Sequence, residues 1–318
     1  HQVISKELIL RHDRFCQFVK AKTIDIPRSG FWQAKSSDFL ARLTPSGYQN
    51  LGSANVFPVM AGRSKEEQSP SAAYTLDQNT DDLFMRHFQK AVAQWNPELK
   101  NIKLYDGKIW IGSVPLEYNA SFWSALYTLY AINHFAGRYL NENSRVLEIG
   151  AGSGLDTCTF VAEFGLKSLI IDLPEVLTLS SALIMTLFPN KEICLPNEIN
   201  EDTPLENYDF VLLLPNQIGM AKPLICDLAI NTSSFMEMHL DEVRRYFRLI
   251  SKQLRDGSYF YCRNRDKKTL LMDYPWEEFG QFEVIYRAPN SVMANIPPWS
   301  DDLLPKFIDD IRRLRKSS

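Results

Sequence analysis

Three glycines in the stretch VLEIGAGSG have the spacing in this sequence that most clearly predicts chemistry. Gly150, Gly152 and Gly154 alternate with small residues, and the acid Glu148 stands two positions before the first of them. Glycine lets the backbone approach a bound ligand closely. The N-terminus of the helix predicted to follow offers N–H groups that attract a carboxylate or a phosphate. The stretch therefore predicts a cofactor-binding turn between a strand and a helix.

The spacing of these glycines separates two kinds of cofactor. The dinucleotide fingerprint is G-x-G-x-x-G, and Leu155 occupies its third glycine position here. The form E-x-G-x-G-x-G instead resembles motif I of the class I S-adenosylmethionine (SAM) methyltransferases. Asp172 ends the next predicted strand, 22 positions after Gly150, where a carboxylate can accept hydrogen bonds from ribose hydroxyls. The resemblance implies SAM as the cofactor.

Further segments resemble one family within that class. The stretches VLEIGAGSG, IDLPEV, LFPNK, INTSSFMEM and FYCRNR, which together span Arg145 to Arg265, are similar to the sugar O-methyltransferase family of bacterial surface-polysaccharide and natural-product clusters. The most specific pieces are INTSSFMEM and the Asn-Arg pair of FYCRNR. This resemblance implies a sugar or nucleotide-sugar substrate whose hydroxyl receives a methyl group.

Adenine contacts are predicted at the end of the third core strand. If DFVLLLP is that strand, Asn216 and Gln217 follow it where they can read the adenine edge, and Ile218 can cover its face. The alternative is EICLP, which places Asn197 and Glu198 there. The first is preferred because DLAIN follows it with the spacing of a fourth strand. The residues predicted to bind the cofactor are Glu148, Gly150, Ala151, Gly152, Gly154, Asp172, Leu173, Asn216, Gln217, Ile218 and Asn231.

Methyl transfer to a sugar hydroxyl calls for a general base or a metal, because a hydroxyl is a poor nucleophile. Glu237 and His239 follow the predicted fourth strand and are the first and second candidates for the base. For Glu237 the alternative is an acceptor for backbone N–H groups of the NTSSF turn. For His239 the alternative is the start of the next helix. Ser233 and Ser234 are interpreted as turn residues, since no Ser/His/Asp spacing accompanies them.

Arg263 completes the predicted catalytic set, at the end of the fifth strand. It alternates with Arg265, so both are expected on one face of the strand. Arginine pairs bidentately with carboxylate or phosphate, which would suit an acidic or nucleotide-linked sugar. Surface ion pairing is the alternative. No His, Cys or Asp cluster has the spacing of a metal site, although a magnesium ion held by scattered carboxylates stays open.

The elements that must position these residues alternate between strand and helix from Ser144 onward. This alternation predicts an α/β fold with a Rossmann-like, doubly wound and mostly parallel sheet. Residues 1–140 are predicted as a mainly helical cap with a hairpin turning at Asp106-Gly107, and residues 141–290 as the SAM-binding core. Residues 291–318 are predicted as a helical tail, with a basic helix from Asp301 to Arg315.

Composition limits the class of protein. The formal net charge of −3 disfavours a nucleic-acid partner. Five widely spaced cysteines without a CxxC pair indicate reduced thiols and a cytoplasmic location. The stretch from Tyr118 to Gly137 lacks charged residues but contains polar ones, so a buried helix is predicted there and no membrane span. Its aromatic residues, with Trp110, are interpreted as core rather than as a sugar-stacking wall.

These resemblances together imply a bacterial SAM-dependent O-methyltransferase that acts on a sugar hydroxyl; a homodimer is left open. Three alternatives stay open. They are a methyltransferase of a non-sugar small molecule, a domain that binds SAM without catalysis, and an NAD-dependent oxidoreductase, which the glycine spacing disfavours.

Overall fold

The computed structural model describes most of the chain. The described residues are 3–21, 26, 41–50, 78–95, 98–105, 108–117, 120–219, 224–267, 273–279, 281–293 and 306–316. The helices among them are α1 (Lys6–Ala21), α2 (Gln78–Val92), α3 (Ala120–Ala136), α4 (Leu155–Phe164), α5 (Pro174–Leu187) and α6 (Leu240–Gln253). The strands are β1 (Ala41–Thr44), β2 (Gly47–Asn50), β3 (Ile102–Tyr105), β4 (Lys108–Ile111), β5 (Val114–Glu117), β6 (Arg145–Ile149), β7 (Lys167–Ile171), β8 (Ile193–Cys194), β9 (Phe210–Leu213), β10 (Cys226–Thr232), β11 (Leu254–Arg265), β12 (Phe282–Pro289) and β13 (Phe307–Leu314).

An eight-stranded sheet forms the centre of the molecule, in the order β12-β13-β11-β10-β6-β7-β9-β8. The six strands from β11 to β8 run parallel, and β13 lies antiparallel between β11 and β12. The chain builds outward from β6 through β7 and β9, then returns to start β10 on the other side of β6. The prediction of a Rossmann-like, doubly wound sheet is confirmed. Ligands bind such sheets at the carboxyl ends of the strands where the order reverses, here between β6 and β10.

The strands of this sheet are apolar because helices cover both faces. Alternate residues of β6 divide between two hydrophobic clusters, with Val146 on the side of α3, α4 and α5 and Leu147 on the side of α6. All residues of α5 except Glu175 are buried. Such an apolar helix needs cover on its outer side, and α1 and the β1–β2 hairpin supply it. The buried His12 ring of α1 bonds the Thr178 carbonyl oxygen of α5 at 2.9 Å.

The N-terminal segment contains more sheet than predicted. The hairpin of β3 and β4 is confirmed, and β5 adds a third antiparallel strand to it. Its Asp106-Gly107 turn lies outside the described residues, as does Tyr118. The predicted aromatic helix is α3, in which Phe122 and Trp123 are buried. Their assignment to the core is therefore confirmed.

The predicted C-terminal helix is wrong where the structure describes it, because Phe307–Leu314 is strand β13. The charges of this segment suggested a solvated helix face, but they pair within the protein. Arg312 forms a bidentate pair with Asp310 at 2.8 Å for both contacts, and its guanidinium lies over the Trp276 ring. Pairing with β11 and β12 makes this segment part of the core sheet.

Gly257, the first glycine after α6, does not cap that helix. The helix ends at Gln253, and β11 begins at Leu254. Gly257 has a φ of 79° within an irregular stretch of β11, between the pairing of Leu254 with Cys226 and that of Tyr259 with Leu228.

Candidate active site

The glycine turn follows β6 at the point where the strand order reverses. Gly150, Gly152 and Gly154 have φ angles of 70°, 58° and 76°, a region that favours glycine. The Gly150 N–H donates to the Ile171 carbonyl oxygen at 2.9 Å, and the Gly154 N–H donates to that of Ala151 at 2.9 Å. Gly154 then begins α4 and provides no side-chain cap of its own. In the first turn the Thr157 N–H is bonded by Glu148, so part of the helix N-terminus is left for a ligand.

Each glycine faces a different neighbour. A Cβ at Gly150 would lie 2.1 Å from the Ser234 Oγ atom, in the loop that follows β10. A Cβ at Gly154 would lie 3.3 Å from the Ser180 Cβ atom of α5. At Gly152 a Cβ would meet no described atom within 4 Å. The first and third glycines therefore allow close packing, and the middle one borders open space where a ligand can approach.

Two acids support the turn. Glu148 is almost fully buried, and its Oε2 atom accepts a hydrogen bond from the Thr157 N–H of α4 at 3.2 Å. Burial and the nearby Asp156 carboxylate raise the pKa of Glu148 well above its usual range. At the end of β7, Asp172 accepts hydrogen bonds from the N–H groups of Gly152 at 2.9 Å and Leu173 at 2.7 Å. Burial raises the pKa of Asp172 to about 7.

The two segments considered for adenine lie side by side. They form the 3₁₀ turns Pro196–Glu198 and Pro215–Gln217, which follow β8 and β9. The position of β9 beside β7 confirms DFVLLLP as the strand next to the second core strand. The Gln217 Nε2 atom donates to the Pro196 carbonyl oxygen at 2.7 Å, so the turns bond to each other.

The side chains of these turns differ in what they can offer a ligand. Gln217 also accepts from the Leu214 N–H at 2.9 Å, so both ends of its amide hold backbone groups. Asn216 is exposed, and Ile218 is half-buried. Glu198 pairs with Arg11 at 2.9 and 2.8 Å. The Asn197 Oδ1 atom is buried and has no hydrogen-bond partner in the described part of the chain. We call the glycine turn, Asp172 and these 3₁₀ turns the cofactor half of the candidate site.

The loop after β10 is held by asparagines, and Asn231 has a different role from the predicted one. Its Nδ2 atom donates to the Ile149 carbonyl oxygen at 2.7 Å and to Ser234 Oγ at 2.5 Å. Its Oδ1 atom accepts from the Phe235 N–H at 3.2 Å and from Asn264 Nδ2 at 2.8 Å. An amide can donate two and accept two hydrogen bonds, so Asn231 has none left for a cofactor. It positions the loop against the glycine turn.

The two candidates for the base occupy different environments. Glu237 ends the 3₁₀ turn Phe235–Glu237 and is half-buried in the loop after β10. His239 is exposed and directly precedes α6, where its carbonyl oxygen accepts from the Val243 N–H at 3.1 Å. The position of His239 thus fits the alternative of a helix start, whereas Glu237 lies in the loop that borders the glycine turn.

The prediction that Arg263 presents its charge to a ligand does not fit the position of its side chain. It is buried beneath α3, where its NH1 atom donates to the Ser124 carbonyl oxygen and Thr128 Oγ1, each at 3.1 Å. Its NH2 atom donates to Ser124 Oγ at 2.7 Å. Only its Nε atom lacks an acceptor among the described residues. The reason is tertiary: α3 covers this face of β11. Arg265 differs from it, with its guanidinium over the Phe307 ring.

A buried carboxylate beside Arg263 was not found from the sequence. Asp309 of β13 accepts hydrogen bonds from the hydroxyls of Tyr127 at 2.7 Å and Tyr261 at 2.6 Å. The Asn290 Nδ2 atom donates to both of its oxygens at 3.0 Å. Burial raises the pKa of Asp309. No local pattern marks this residue, because its partners lie on α3, β11 and the loop after β12.

Asp156 is a second site residue that sequence reasoning missed. It lies in the first turn of α4, and its Oδ2 atom accepts from Thr232 Oγ1 of β10 at 2.8 Å. Burial raises the pKa of Asp156, while the nearby Arg263 charge opposes that rise. Its position two residues after Gly154 was the available signal. We call the ends of β10, β11 and β13, with the loop after β10 and the side chains that pack on them, the acceptor half.

Three further properties characterise the described residues. No group of three or more His, Cys, Asp or Glu side chains is arranged to hold a metal ion. No described helix combines the length and the apolar character that crossing a membrane requires. All five cysteines are free thiols.

Comparisons with known proteins yield structural likenesses only. No protein-family model and no curated protein sequence matches the chain. TehB from Haemophilus influenzae is 14% identical, with a TM-score of 0.40 over 59% of this chain and 61% of that chain. Geranyl diphosphate methyltransferase in complex with SAM is 11% identical, with a TM-score of 0.41 over 60% of this chain and 85% of that chain.

A third likeness is the N-methyltransferase NodS from Bradyrhizobium japonicum, in complex with S-adenosylhomocysteine (SAH). It is 10% identical, with a TM-score of 0.35 over 54% of this chain and 79% of that chain. Solved structures that resemble the chain thus include SAM-dependent methyltransferases. At these TM-scores the alignments define no shared activity or substrate, so the residues of this chain must carry the functional assignment.

Proposed function

We propose that this protein is a SAM-dependent O-methyltransferase that acts on a sugar hydroxyl. The observation that carries the proposal is the glycine turn after β6. Three left-handed glycines lead into the N-terminus of α4, which begins at a glycine without a side-chain cap, and Asp172 follows the neighbouring strand. This set lies where the strand order reverses, the usual ligand position in a doubly wound sheet.

The residues fit SAM by chemistry and by space. Open space above Gly152 leaves room for the cofactor to lie against the backbone. The N-terminus of α4 suits the cofactor carboxylate, and Asp172 suits the ribose hydroxyls once its carboxyl group is ionised. SAM when bound supplies an electrophilic methyl group. NAD is disfavoured because Leu155, not glycine, occupies the third position of the dinucleotide pattern.

The acceptor half supports a neutral polyhydroxyl substrate. Arg263, the residue predicted to attract phosphate, is enclosed by α3. The loop after β10 contains neutral polar residues next to the glycine turn, among them Thr232, Ser233 and Ser234. The choice of a sugar rests on the resemblance of INTSSFMEM and FYCRNR to the sugar O-methyltransferase family. Glu237 is the base in this proposal and takes the proton of the acceptor hydroxyl.

Calorimetry with SAM, SAH and NAD tests the cofactor assignment. We expect SAH to bind, and at about 100 times its Kd to add about 2.7 kcal/mol of apparent stability. Binding of NAD alone would overturn the assignment. SAH formation is then measured with SAM and a panel of monosaccharides, oligosaccharides and nucleotide sugars. A protein that binds SAH but methylates only phenolic acceptors would be a non-sugar methyltransferase, and one that methylates nothing would be a non-catalytic binding domain.

Two variants test the base. Glu237→Gln keeps the shape of the side chain and removes its basicity, so the rate should fall by about 10²–10⁴-fold at unchanged SAH affinity. His239→Ala is the matched variant and should retain activity. A folded but inactive His239→Ala enzyme beside an active Glu237→Gln enzyme would transfer the role to His239.

A further inference from the structure

The loop after β10 contains a residue in an unusual backbone conformation. Among the described residues other than glycine, Ser233 is the one with a positive φ, at 63°. A side chain in this left-handed region is disfavoured, and such residues cluster at functional sites where the surrounding structure enforces them.

The surrounding bonds do enforce this conformation. The Ser233 N–H donates to the Arg263 carbonyl oxygen of β11 at 2.7 Å. On either side of Ser233 the chain is held by Asn231, whose four hydrogen-bonding positions are filled, and by Ser234, whose Oγ atom donates to the Ile149 carbonyl oxygen at 3.2 Å. Asn264 bonds both Asn231 and the Met236 N–H. The loop therefore cannot relax at Ser233 without breaking a buried network.

Ser233 lies in the loop next to the cofactor turn, and its hydroxyl differs from those of its two neighbours. Its neighbour Ser234 fills the space beside Gly150, so Ser233 lies one residue from the side chain that packs on the first glycine of the cofactor turn. Ser233 is half-buried, and its hydroxyl makes no hydrogen bond within the described part of the chain. In contrast, the hydroxyls of Thr232 and Ser234 bond Asp156 and the Ile149 carbonyl oxygen.

We propose that Ser233 is a specificity-determining residue whose hydroxyl binds a hydroxyl of the acceptor sugar, and that its left-handed backbone holds it in place for this contact. The inference rests on the proposed function and names a residue of the same site. A serine hydroxyl can donate one hydrogen bond and accept two, which suits a polyhydroxyl ligand. Ser233 would bind the acceptor beside Glu237, which takes the proton.

Two substitutions at this position separate the hydroxyl from the backbone strain. Ser233→Ala removes the hydroxyl and keeps the strain, whereas Ser233→Gly removes both. Because glycine adopts a positive φ freely, Ser233→Gly should raise Tm. Both variants should lower kcat/KM for the sugar acceptor by about 3- to 10-fold, the effect of one lost hydrogen bond, at an SAH Kd within about twofold of wild type. Because Ser233→Ala keeps the backbone strain, a loss of kcat/KM in both variants identifies the hydroxyl, whereas a loss in Ser233→Gly alone would identify the backbone conformation.

Ser251→Ala is the matched control. Its hydroxyl donates to the Phe247 carbonyl oxygen at 2.9 Å within α6, so kcat/KM should stay unchanged. SAH formation from the panel of sugars and nucleotide sugars is measured for all four proteins. Wild-type kcat/KM in either Ser233 variant overturns this inference alone. A wild-type enzyme that binds SAH but methylates no sugar overturns the sugar proposal and this inference with it.

Discussion

The cofactor half and the acceptor half of the candidate site are built by different means. In the cofactor half, backbone hydrogen bonds and glycine conformations form the turn, and its residues Gly150 to Gly154 are contiguous in sequence. In the acceptor half, side chains from α3, β10, β11 and β13 bond one another across more than a hundred residues of sequence, as Tyr127 does with Asp309. A local turn can be encoded by a short motif, whereas a side-chain network exists only once distant strands are paired.

Among the described residues, the two halves meet where the loop after β10 packs on the end of β6 and the glycine turn, and we expect mutations to separate them. Ser234 packs on Gly150, and Asn231 bonds the Ile149 carbonyl oxygen at the end of β6. Damage deep in the acceptor half should therefore lower stability before it changes cofactor affinity. Damage to the glycine turn should do the reverse.

The largest effect is expected from Asp309→Ala. Removing this carboxylate leaves the buried Tyr127 and Tyr261 hydroxyls and the Asn290 amide without their acceptor, at a cost of about 3–5 kcal/mol in the free energy of unfolding. Urea denaturation measures it. At low temperature, where the Asp309→Ala variant stays folded, its affinity for SAH should be close to that of wild type.

Asp266→Ala is the matched control, since Asp266 pairs with Arg287 at the surface. Exposed pairs of this kind contribute about 0–1 kcal/mol. Equal losses of stability in the two variants would mean that the Asp309 network is not a stabilising part of the acceptor half.

A substitution at the junction of the halves comes next. In Gly150→Ala the new Cβ would meet Ser234 Oγ, and the φ of 70° would be strained. Together these should cost roughly 2–4 kcal/mol and weaken SAH binding by at least about 30-fold in calorimetry. Adding Ser234→Gly should relieve the contact but leave the backbone strain. Gly219 has no positive φ, and a Cβ there would meet no described atom within 4 Å, so Gly219→Ala should keep the stability and SAH affinity of wild type. Similar SAH affinities for all three variants would contradict the predicted clash.

Asp172→Ala should act within the cofactor half alone. We expect SAH affinity to fall by about 1.5–3 kcal/mol, because the ribose hydroxyls lose a charged acceptor. The fold should persist, with a modest loss of Tm from the freed N–H groups of Gly152 and Leu173. Unchanged SAH affinity in a folded Asp172→Ala protein would make this residue a support of the turn only.

The smallest effect is a pH dependence. With a pKa of about 7 for Asp172, its ionised fraction rises about tenfold between pH 6 and pH 8. SAH affinity should rise by about that factor in wild type and stay flat in Asp172→Ala. The contribution of Asp172 to the stability of the cofactor-free protein should fall, not rise, as pH increases. A carboxyl group whose pKa is raised on folding stabilises the fold most below its unfolded pKa near 4, and this contribution is lost as pH rises through about 7.

Thermal scans without ligand from pH 5 to pH 8 measure how the contribution of Asp172 to stability changes with pH. The difference in Tm between wild type and Asp172→Ala should shrink as pH rises. A difference that grows with pH would show that ionised Asp172 is favoured in the free protein, contrary to the effect of its burial.

The sequence predicted the parallel strands and their helices well. A strand that is buried on both faces of a sheet is a continuous run of apolar residues, and such a run can be recognised from the local sequence alone. It failed at Phe307–Leu314 for the opposite reason. The charges of Asp309, Asp310 and Arg312 resemble those of a solvated helix, and only their partners on neighbouring elements make them residues of a buried strand. Asn231 was assigned to the cofactor because its other bonding partners were not visible in the sequence.

The sequence by itself determined the glycine turn, since a positive φ at Gly150, Gly152 and Gly154 is a local property of residues without a Cβ. It also determined the alternation of strand and helix that gives the doubly wound sheet. Only the tertiary structure decided that Arg263 is enclosed by α3, that Asp309 joins two tyrosines, and that Ser233 is held in a strained conformation. Each of these depends on hydrogen bonds between residues far apart in the chain, whose energy exists only after the sheet has brought them together.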